Sequence, residues 1–311
     1  YEFERYMHSL GADTELSGNP PKPEKRPDIA IQNSSQIVTS FLYFAIEHNI
    51  DVMHRLGSER QFGNILEAAR SEKDWKNVRA YLNIFNEYSI HLDHKQKEQT
   101  ISFLYELLLN REGDIRRQAA ALIGKMFANF NAGYRKEIPA DMADLDDRQA
   151  RTLWEAYMEK LICPDYRLTL QQKRRIQNSL KYVLLSGIEH SDDRVREEML
   201  TIFYRWFDGS HELDEDARFA LLDAVFSMPA ELCARSGRLD CLAEFAVDNM
   251  DHEDDRVRVA AVRALKVLTS VVTRENACYE RVRKAVTEMD TGSITMVFLQ
   301  YRILTNLRLD T

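Results

Sequence analysis

The stretch that decides the fold is HEDDRVRVAAVRALKVL, residues 252–268. Its first part is a charged, polar segment, and its second part is rich in alanine, valine and leucine. Counted from Val257, apolar residues follow at offsets of 4, 7, 8 and 11, namely Ala261, Ala264, Leu265 and Leu268. This spacing marks one face of an α-helix with 3.6 residues per turn. The stretch therefore predicts a tight polar turn followed by an amphipathic helix.

The same pattern occurs three times along the chain, anchored on Ile115, Val195 and Val257. An arginine follows each anchor directly, and apolar residues come at the same four offsets. Apolar residues also stand seven and eleven positions before each anchor, so a helix is expected on both sides of the turn. A turn aspartate is expected to accept hydrogen bonds from the first N–H groups of each second helix. These aspartates are Asp114, Asp193 and Asp255.

A fourth, weaker copy is anchored on Val78 and loses its phase after Phe85. The four anchors are separated by 37, 80 and 62 residues. We interpret the first interval as one repeat and the second as two repeats. The third interval does not divide cleanly, which predicts an irregular unit between residues 208 and 238.

The turns and the alanine-rich helices over 118–126 and 259–268 resemble the HEAT-like (armadillo-type) helical repeat family, whose units are antiparallel helix pairs of about forty residues. The resemblance covers about 60–310 and implies an all-α fold, an α-solenoid or α-α superhelix of HEAT-like antiparallel helix pairs. Leu122, Phe203, Trp206 and Leu265 are expected in its core. The expected helices span 33–49, 58–70, 74–90, 94–109, 114–129, 146–162, 169–188, 193–207, 214–227, 237–249, 255–271, 274–288 and 293–308.

Composition supports a folded helical protein with a separate N-terminal part. Hydrophobic residues make up 44% of the 311 residues, enough for a core. Four of the seven prolines fall within 16–28, which favours a linker there. We expect an N-terminal helix and proline-rich linker over 1–32 and a HEAT-like helical-repeat domain over 33–311. Because the chain begins at Tyr1 rather than Met, we expect a piece of a longer protein.

The net charge of −8 and the pI near 5.6 argue against nucleic acid as the main partner. Eighteen consecutive apolar residues do not occur, so a membrane span is not expected. The four cysteines form no C-x-x-C pair and are expected to be buried thiols of a reduced, cytoplasmic protein. They are Cys163, Cys233, Cys241 and Cys278. The sequence predicts no cofactor.

Three acid–histidine pairs stand near predicted helix ends: Glu47-His48, Glu189-His190 and His252-Glu253. The resemblance includes deoxyhypusine hydroxylases, HEAT-fold di-iron enzymes with His-Glu pairs in matching phase, and carboxylate and imidazole suit iron. Here His252-Glu253 alone has that order, which favours exposed turn residues. A di-iron hydroxylase-like enzyme remains the alternative. His91 and His94 make at most a weak metal site, since two histidines are too few.

Arginine and lysine clusters have two interpretations each. A DNA glycosylase-like HEAT enzyme would need a basic surface with aromatic stacking, and Lys173, Arg174 and Arg175 with nearby Arg167 form the densest basic cluster. The many acidic residues around it favour a solvated helix face.

The arginines after the anchors form either a ladder of anion sites or ion pairs with turn aspartates that tie neighbouring units together, and we favour the ion pairs. They are Arg116, Arg196 and Arg258.

Nucleotide-binding, hydrolase and metalloprotease motifs are absent from the sequence, which favours a non-catalytic binding or scaffolding domain. We predict a protein-interaction or regulatory module of a larger multidomain protein, whose partner is a protein or another domain of the same polypeptide.

By the resemblance, the second helices 114–129, 193–207 and 255–271 line one concave face. Residues outside their core stripes would face that groove and suit an acidic peptide, and Tyr204 or Phe207 is expected at the surface. The candidate partner-binding residues are Lys125, Tyr204, Arg205, Arg263 and Lys266.

Overall fold

The computed structural model describes residues 59–89, 92–137, 143–235 and 237–308. These residues form thirteen α-helices and no β-strand, which confirms the all-α prediction. The predicted N-terminal helix and linker over 1–32 and the predicted helix over 33–49 lie outside the described residues. The helices are α1 (Glu59–Ser71), α2 (Trp75–Tyr88), α3 (His94–Leu107), α4 (Gly113–Glu137), α5 (Ala143–Ile162), α6 (Leu170–Ile188), α7 (Asp193–Tyr204), α8 (Glu215–Ser227), α9 (Ala230–Arg235), α10 (Leu239–Asp248), α11 (Asp255–Leu268), α12 (Tyr279–Glu288) and α13 (Ile294–Arg308).

The chain divides into two compact units, residues 1–118 and 119–311. In the first unit, α1 packs against α3. Phe85 joins them to α2, because its ring meets the edges of Phe62 and Phe103 at centroid distances of 6.4 and 6.1 Å. All three rings are buried, so an aromatic cluster forms the centre of this unit.

The second unit consists of two layers of helices. One layer contains α6, α8, α11 and α13, each packed against the next. The other contains α5, α7, α10 and α12, with the 3₁₀ turn Arg205–Phe207 joining α7 to α10. Long helices that follow one another in the chain alternate between the layers, and the short α9 is inserted between α8 and α10. Two layers of alternating helices are the arrangement of an α-solenoid built from antiparallel helix pairs, as the sequence predicts.

The predicted core residues are confirmed except for one. Leu122, Phe203 and Leu265 are buried, as the repeat stripe requires. Trp206 is half-buried, and its ring stacks on His211 at a centroid distance of 3.9 Å. The reason is that α7 ends at Tyr204 and continues as a 3₁₀ turn with three residues per turn, so the stripe loses its α-helical phase there.

The recurring turn does not mark the same place in every repeat, contrary to the prediction. Its second helices are α4, α7 and α11. In α4, Gly124 packs against α6, whose layer also holds α11, whereas α7 lies in the other layer. The interval of 80 residues therefore spans three helices rather than two whole repeats. The interval of 62 spans three long helices and α9, which accounts for the predicted irregular unit. The expectation that the three second helices line one common face is wrong.

Two glycines bring helices of the second unit into close contact. A Cβ on Gly124 of α4 would lie 2.0 Å from the carbonyl oxygen of Val183 and 3.0 Å from the amide nitrogen of Gly187, both on α6. A Cβ on Gly187 would lie 2.4 Å from Cε of Met199 on α7. Since the backbone of α6 cannot yield as a side chain can, Gly124 is the tighter constraint.

Replacing Leu265 by alanine is expected to lower the free energy of unfolding by about 2–5 kcal/mol, because the side chain is fully packed. Urea unfolding followed by circular dichroism measures this. A loss of less than about half a kilocalorie per mole would contradict the packing of the α11 stripe.

Gly124→Ala is expected to destabilise the chain by about 1–3 kcal/mol, since the added methyl group forces α4 away from α6. Gly63→Ala in α1 is the matched control, because a Cβ there meets no atom within 4 Å. The control should be neutral or stabilising by up to about 1 kcal/mol, as alanine favours helix over glycine. Equal effects of the two changes would show that the α4–α6 contact is not close.

Candidate functional site

The site is built on α8, a helix that is apolar on more than one side. The side chain of Asp214 caps its first turn by accepting a hydrogen bond from the amide of Ala217 at 2.8 Å. Leu221 and Leu222 are buried in the core. Phe226 is exposed over 37% of its surface and Phe219 is half-buried, so α8 carries aromatic rings on its outer side as well. Exposed aromatic rings at this spacing are typical of a binding surface.

A buried carboxylate aligns α8 with the helices on either side of it. Asp216 accepts a hydrogen bond from Nε of Arg174 on α6 at 3.0 Å and from a terminal guanidinium nitrogen of Arg256 on α11 at 2.8 Å. Seven residues further along, Lys181 of α6 pairs with Asp223 of α8 at 2.8 Å. The two contacts between α6 and α8 occur in the same order along both helices, so α6 and α8 run in the same direction.

A groove of about 320 Å³ opens between α8 and α11. Its walls follow the helical period on both sides, which places the lining residues on facing stripes. Phe219, Asp223 and Phe226 line it from α8. The lining residues from α11 are Asp255, Arg256, Val259, Ala260 and Arg263.

The two arginines of the groove differ in their partners. Arg256 pairs with Asp216 and with Asp254 at 3.0 Å, and its guanidinium lies 5.5 Å from the centre of the Phe219 ring. The hydrogen bond from Arg256 holds the pKa of Asp254 below its usual range. Arg263 is exposed and has no hydrogen bond or ion pair with another described residue. The groove therefore combines an apolar wall with one guanidinium that is open to an incoming anion.

The structure does not bring the predicted site residues together. Arg263 lines the groove, whereas Lys266 lies one turn further along α11 and its carbonyl accepts a hydrogen bond from Asn306 of α13. Arg205 belongs to the other layer and pairs with Glu155 of α5 at 3.3 Å. Lys125 is exposed on α4. Among the five candidates, Arg263 is the one that the structure places in this groove.

The prediction that Tyr204 faces a groove is wrong. Its side chain is 1% exposed, and its hydroxyl donates a hydrogen bond to Sγ of Cys233 at 3.8 Å. Phe207 is buried too, with its ring edge-on to Phe245 of α10 at 4.9 Å. Phe207 is covered because the 3₁₀ turn after α7 packs against α10, whereas Tyr204 contacts Cys233 of α9. Both contacts join segments far apart in the sequence.

The arginines after the anchors each hold their own turn closed. Arg116, Arg196 and Arg258 donate to the backbone carbonyl six residues earlier, at 2.6, 2.8 and 2.6 Å. Arg196 and Arg258 also pair with Asp193 and Asp255 in the same turn. These contacts confirm a structural role, although they join residues of one turn rather than neighbouring units.

Histidines of the turns are used in the same local way. The Nδ1 atoms of His190 and His252 accept hydrogen bonds from the backbone amides of Asp192 and Asp254, both at 3.1 Å. Asp192 and Asp254 then cap α7 and α11, one residue before the aspartates that the sequence suggested. This confirms that Glu189-His190 and His252-Glu253 are turn residues. Glu47-His48 and His91 lie outside the described residues, as does the side chain of His94.

Other candidate chemistry is accounted for by local pairing. Arg167 pairs with Asp165 at 2.6 Å, and its hydrogen bonds lower the pKa of Asp165 to about 2. Arg174 pairs with Asp216, so the basic cluster of α6 is partly neutralised. In the part of the chain that the structure describes, three or more His, Cys, Asp or Glu side chains do not come together as metal ligands. A helix long and apolar enough to span a membrane is likewise not found among the described residues.

Burial is confirmed for two of the four cysteines, Cys233 and Cys278, and the four form no disulfide bond with one another. Cys163 is exposed after the end of α5, and Cys241 is partly exposed. Burial, together with the nearby carboxyl of Asp240, raises the pKa of Cys278 to about 12, so this thiol is protonated at neutral pH.

Comparison with solved structures gives distant likenesses, among them two designed armadillo repeat proteins and an engineered protein. A computationally designed armadillo repeat protein for modular peptide recognition is 13% identical, with 78% of this chain and 98% of that chain covered and a TM-score of 0.37. A second designed armadillo repeat protein has the same identity and coverage and a TM-score of 0.36. An engineered protein is 11% identical, with 80% and 97% covered and a TM-score of 0.38.

Family models and curated proteins give no match. At these low TM-scores the structural likenesses say nothing of function. The repeat architecture rests on the chain's own turns and on the two layers of its second unit.

The Asp216 bridge makes a prediction for stability. Arg174→Ala or Arg256→Ala alone should cost about 1 kcal/mol or less, because the other arginine still pairs with the carboxylate. The double variant should cost about 3 kcal/mol, since it leaves a buried carboxylate unpaired. Adding Asp216→Ala to the double variant should recover part of that loss. Additive single costs, measured by urea unfolding, would contradict a shared bridge.

Proposed function

We propose that this chain is a non-catalytic binding module that holds a segment of a partner protein in the groove between α8 and α11. The segment carries a large apolar side chain and an acidic residue close to it. The observation that carries this proposal is the exposed guanidinium of Arg263 beside the aromatic wall formed by Phe219 and Phe226.

Shape and surface of the groove support an apolar anchor. A volume of about 320 Å³ accommodates one large side chain or two small ones. Phe219, Phe226, Val259 and Ala260 supply apolar contacts on both walls. Aromatic pockets of this kind hold the residues that contribute most to binding energy in protein interfaces.

Charge within the groove supports an acidic neighbour for that anchor. Asp223 is paired with Lys181, Asp255 with Arg258, and Arg256 with two aspartates. Arg263 remains as a cation at the groove edge, and a guanidinium recognises a carboxylate with two parallel hydrogen bonds. An acidic protein that presents an arginine beside an apolar wall is suited to a segment with the opposite charge at that point.

The wider setting is part of the same proposal. We place the chain in the cytoplasm, which four cysteines without a disulfide bond support. Its partner is a protein or another domain of the same polypeptide. A regulatory role within a larger multidomain protein follows if that segment belongs to the same polypeptide.

Selection of random peptides displayed on phage tests the proposal directly. Twelve-residue peptides are selected on the wild-type chain, with prior depletion on the Phe226→Ser/Arg263→Glu variant. The expected peptides share an aromatic or aliphatic residue within a few positions of Asp or Glu. Their affinity should fall about tenfold or more with Arg263→Glu, which corresponds to about 1.4 kcal/mol.

Lys284→Glu is the matched control, because it makes the same charge change at an exposed position on α12. The control should leave peptide affinity within about twofold of wild type. Enrichment of peptides without acidic residues, or equal losses for Arg263→Glu and Lys284→Glu, would overturn the proposal.

A further inference from the structure

The last helix of the second unit, α13, has two contrasting sides. Its inner side buries Leu299, Ile303 and Leu307, and Asn306 donates to the carbonyl of Lys266 on α11 at 3.1 Å. Four apolar residues are exposed elsewhere on this helix. They are Ile294 (90% exposed), Val297 (49%), Phe298 (58%) and Tyr301 (67%). So many large exposed apolar side chains on one helix indicate an interaction surface.

A regular seam runs along the exposed side. Its residues are separated by 3, 4, 3 and 4 positions, the spacing by which one helix packs along another. They are the exposed Ile294, Val297, Tyr301 and Arg308 and the half-buried Leu304. At 3.6 residues per turn, all five lie roughly opposite Asn306, and so on the side of α13 that faces away from α11. This seam therefore fits a helix as its occupant.

The seam is complementary to itself in the antiparallel direction. Suppose that a second α13 lies antiparallel along the seam, with the two-fold axis at the level of residue 299 along the helix. Ile294 then lies opposite Leu304 of the second copy, and Val297 lies opposite Tyr301. Asp290 stands in the loop four residues before the start of α13. In this arrangement that end of α13 lies beside Arg308, the last residue of the second copy's helix. This pairing occurs twice, once at each end, as a two-fold axis requires.

Charge favours this occupant over a parallel copy. Residues 294–308 contain Arg302 and Arg308 and no acidic residue, so two parallel copies would place arginine beside arginine. In the antiparallel arrangement each Arg308 approaches the acidic loop at Asp290. Opposite charges at both ends of an apolar seam fix the direction of two packed helices.

We propose that two copies of this chain associate through α13 as an antiparallel, two-fold symmetric dimer. A helix of 15 residues is about 22 Å long, so the contact is near the small end of stable protein interfaces. A dissociation constant in the micromolar range is therefore expected.

Sedimentation equilibrium between about 1 and 200 µM measures the association, a range chosen to bracket micromolar binding. The expected result is a rise from 36.3 kDa towards twice that mass. Val297→Glu/Tyr301→Glu brings carboxylates face to face across the seam and should keep the chain monomeric. Both side chains are largely exposed, so thermal unfolding should be little changed. Tyr166→Glu, at an 84% exposed position after α5, is the matched control and should still dimerise.

Charge reversal tests the antiparallel register. Asp290→Lys and Arg308→Glu should each weaken the dimer about fivefold or more, because each brings like charges together at both ends of the seam. The combined variant should restore most of the wild-type affinity.

Three results would overturn the proposal. They are a monomer at every concentration, a dimer that survives Val297→Glu/Tyr301→Glu, and a combined charge variant as weak as the single variants. A mass that rises beyond the dimer would replace the two-fold contact with a head-to-tail one.

Discussion

The carboxylate of Asp216 between the guanidinium groups of Arg174 and Arg256 sets the register of three helices that share one layer. A nearly buried carboxylate is stable only with such partners, so α6 and α11 are held beside α8 at matching heights. Lys181 and Asp223 repeat the contact two turns further along. The groove between α8 and α11, with Arg263 at its edge, exists because this register is fixed.

The recurring turn is a local device that serves either layer. An aspartate caps the next helix in two of the three copies, those before α7 and α11. In each copy a histidine or asparagine side chain accepts a hydrogen bond from an amide within the turn, and the arginine donates one to the carbonyl six residues earlier. All of these contacts lie within about ten residues, so the sequence was sufficient to predict the turns and the helices around them. It was not sufficient to assign each helix to a layer. That assignment depends on the short α9 and on long-range contacts such as Gly124 with α6.

The candidate site was predictable only in part, because local sequence patterns do not show which helices pack together. Arg263 stands off the core stripe of α11, and the structure places it in the groove. Tyr204 has the same sequence signal, yet it is buried and its hydroxyl contacts Cys233 of α9, 29 residues further along the chain. Phe219 and Phe226 were missed, although their seven-residue spacing, on the side of α8 opposite the buried Leu221, was a usable signal. Helical periodicity identifies the side of a helix, but not what covers that side.

In the proposed function, the groove between α8 and α11 binds a protein segment through Arg263 and an apolar wall. A crystal structure of the chain with a selected peptide bound measures this most directly. The expected complex has an apolar peptide side chain between Phe219 and Phe226 and a peptide carboxylate within hydrogen-bond distance of Arg263, at about 2.7–2.9 Å. A peptide bound on another surface, with this groove occupied only by water, would contradict it.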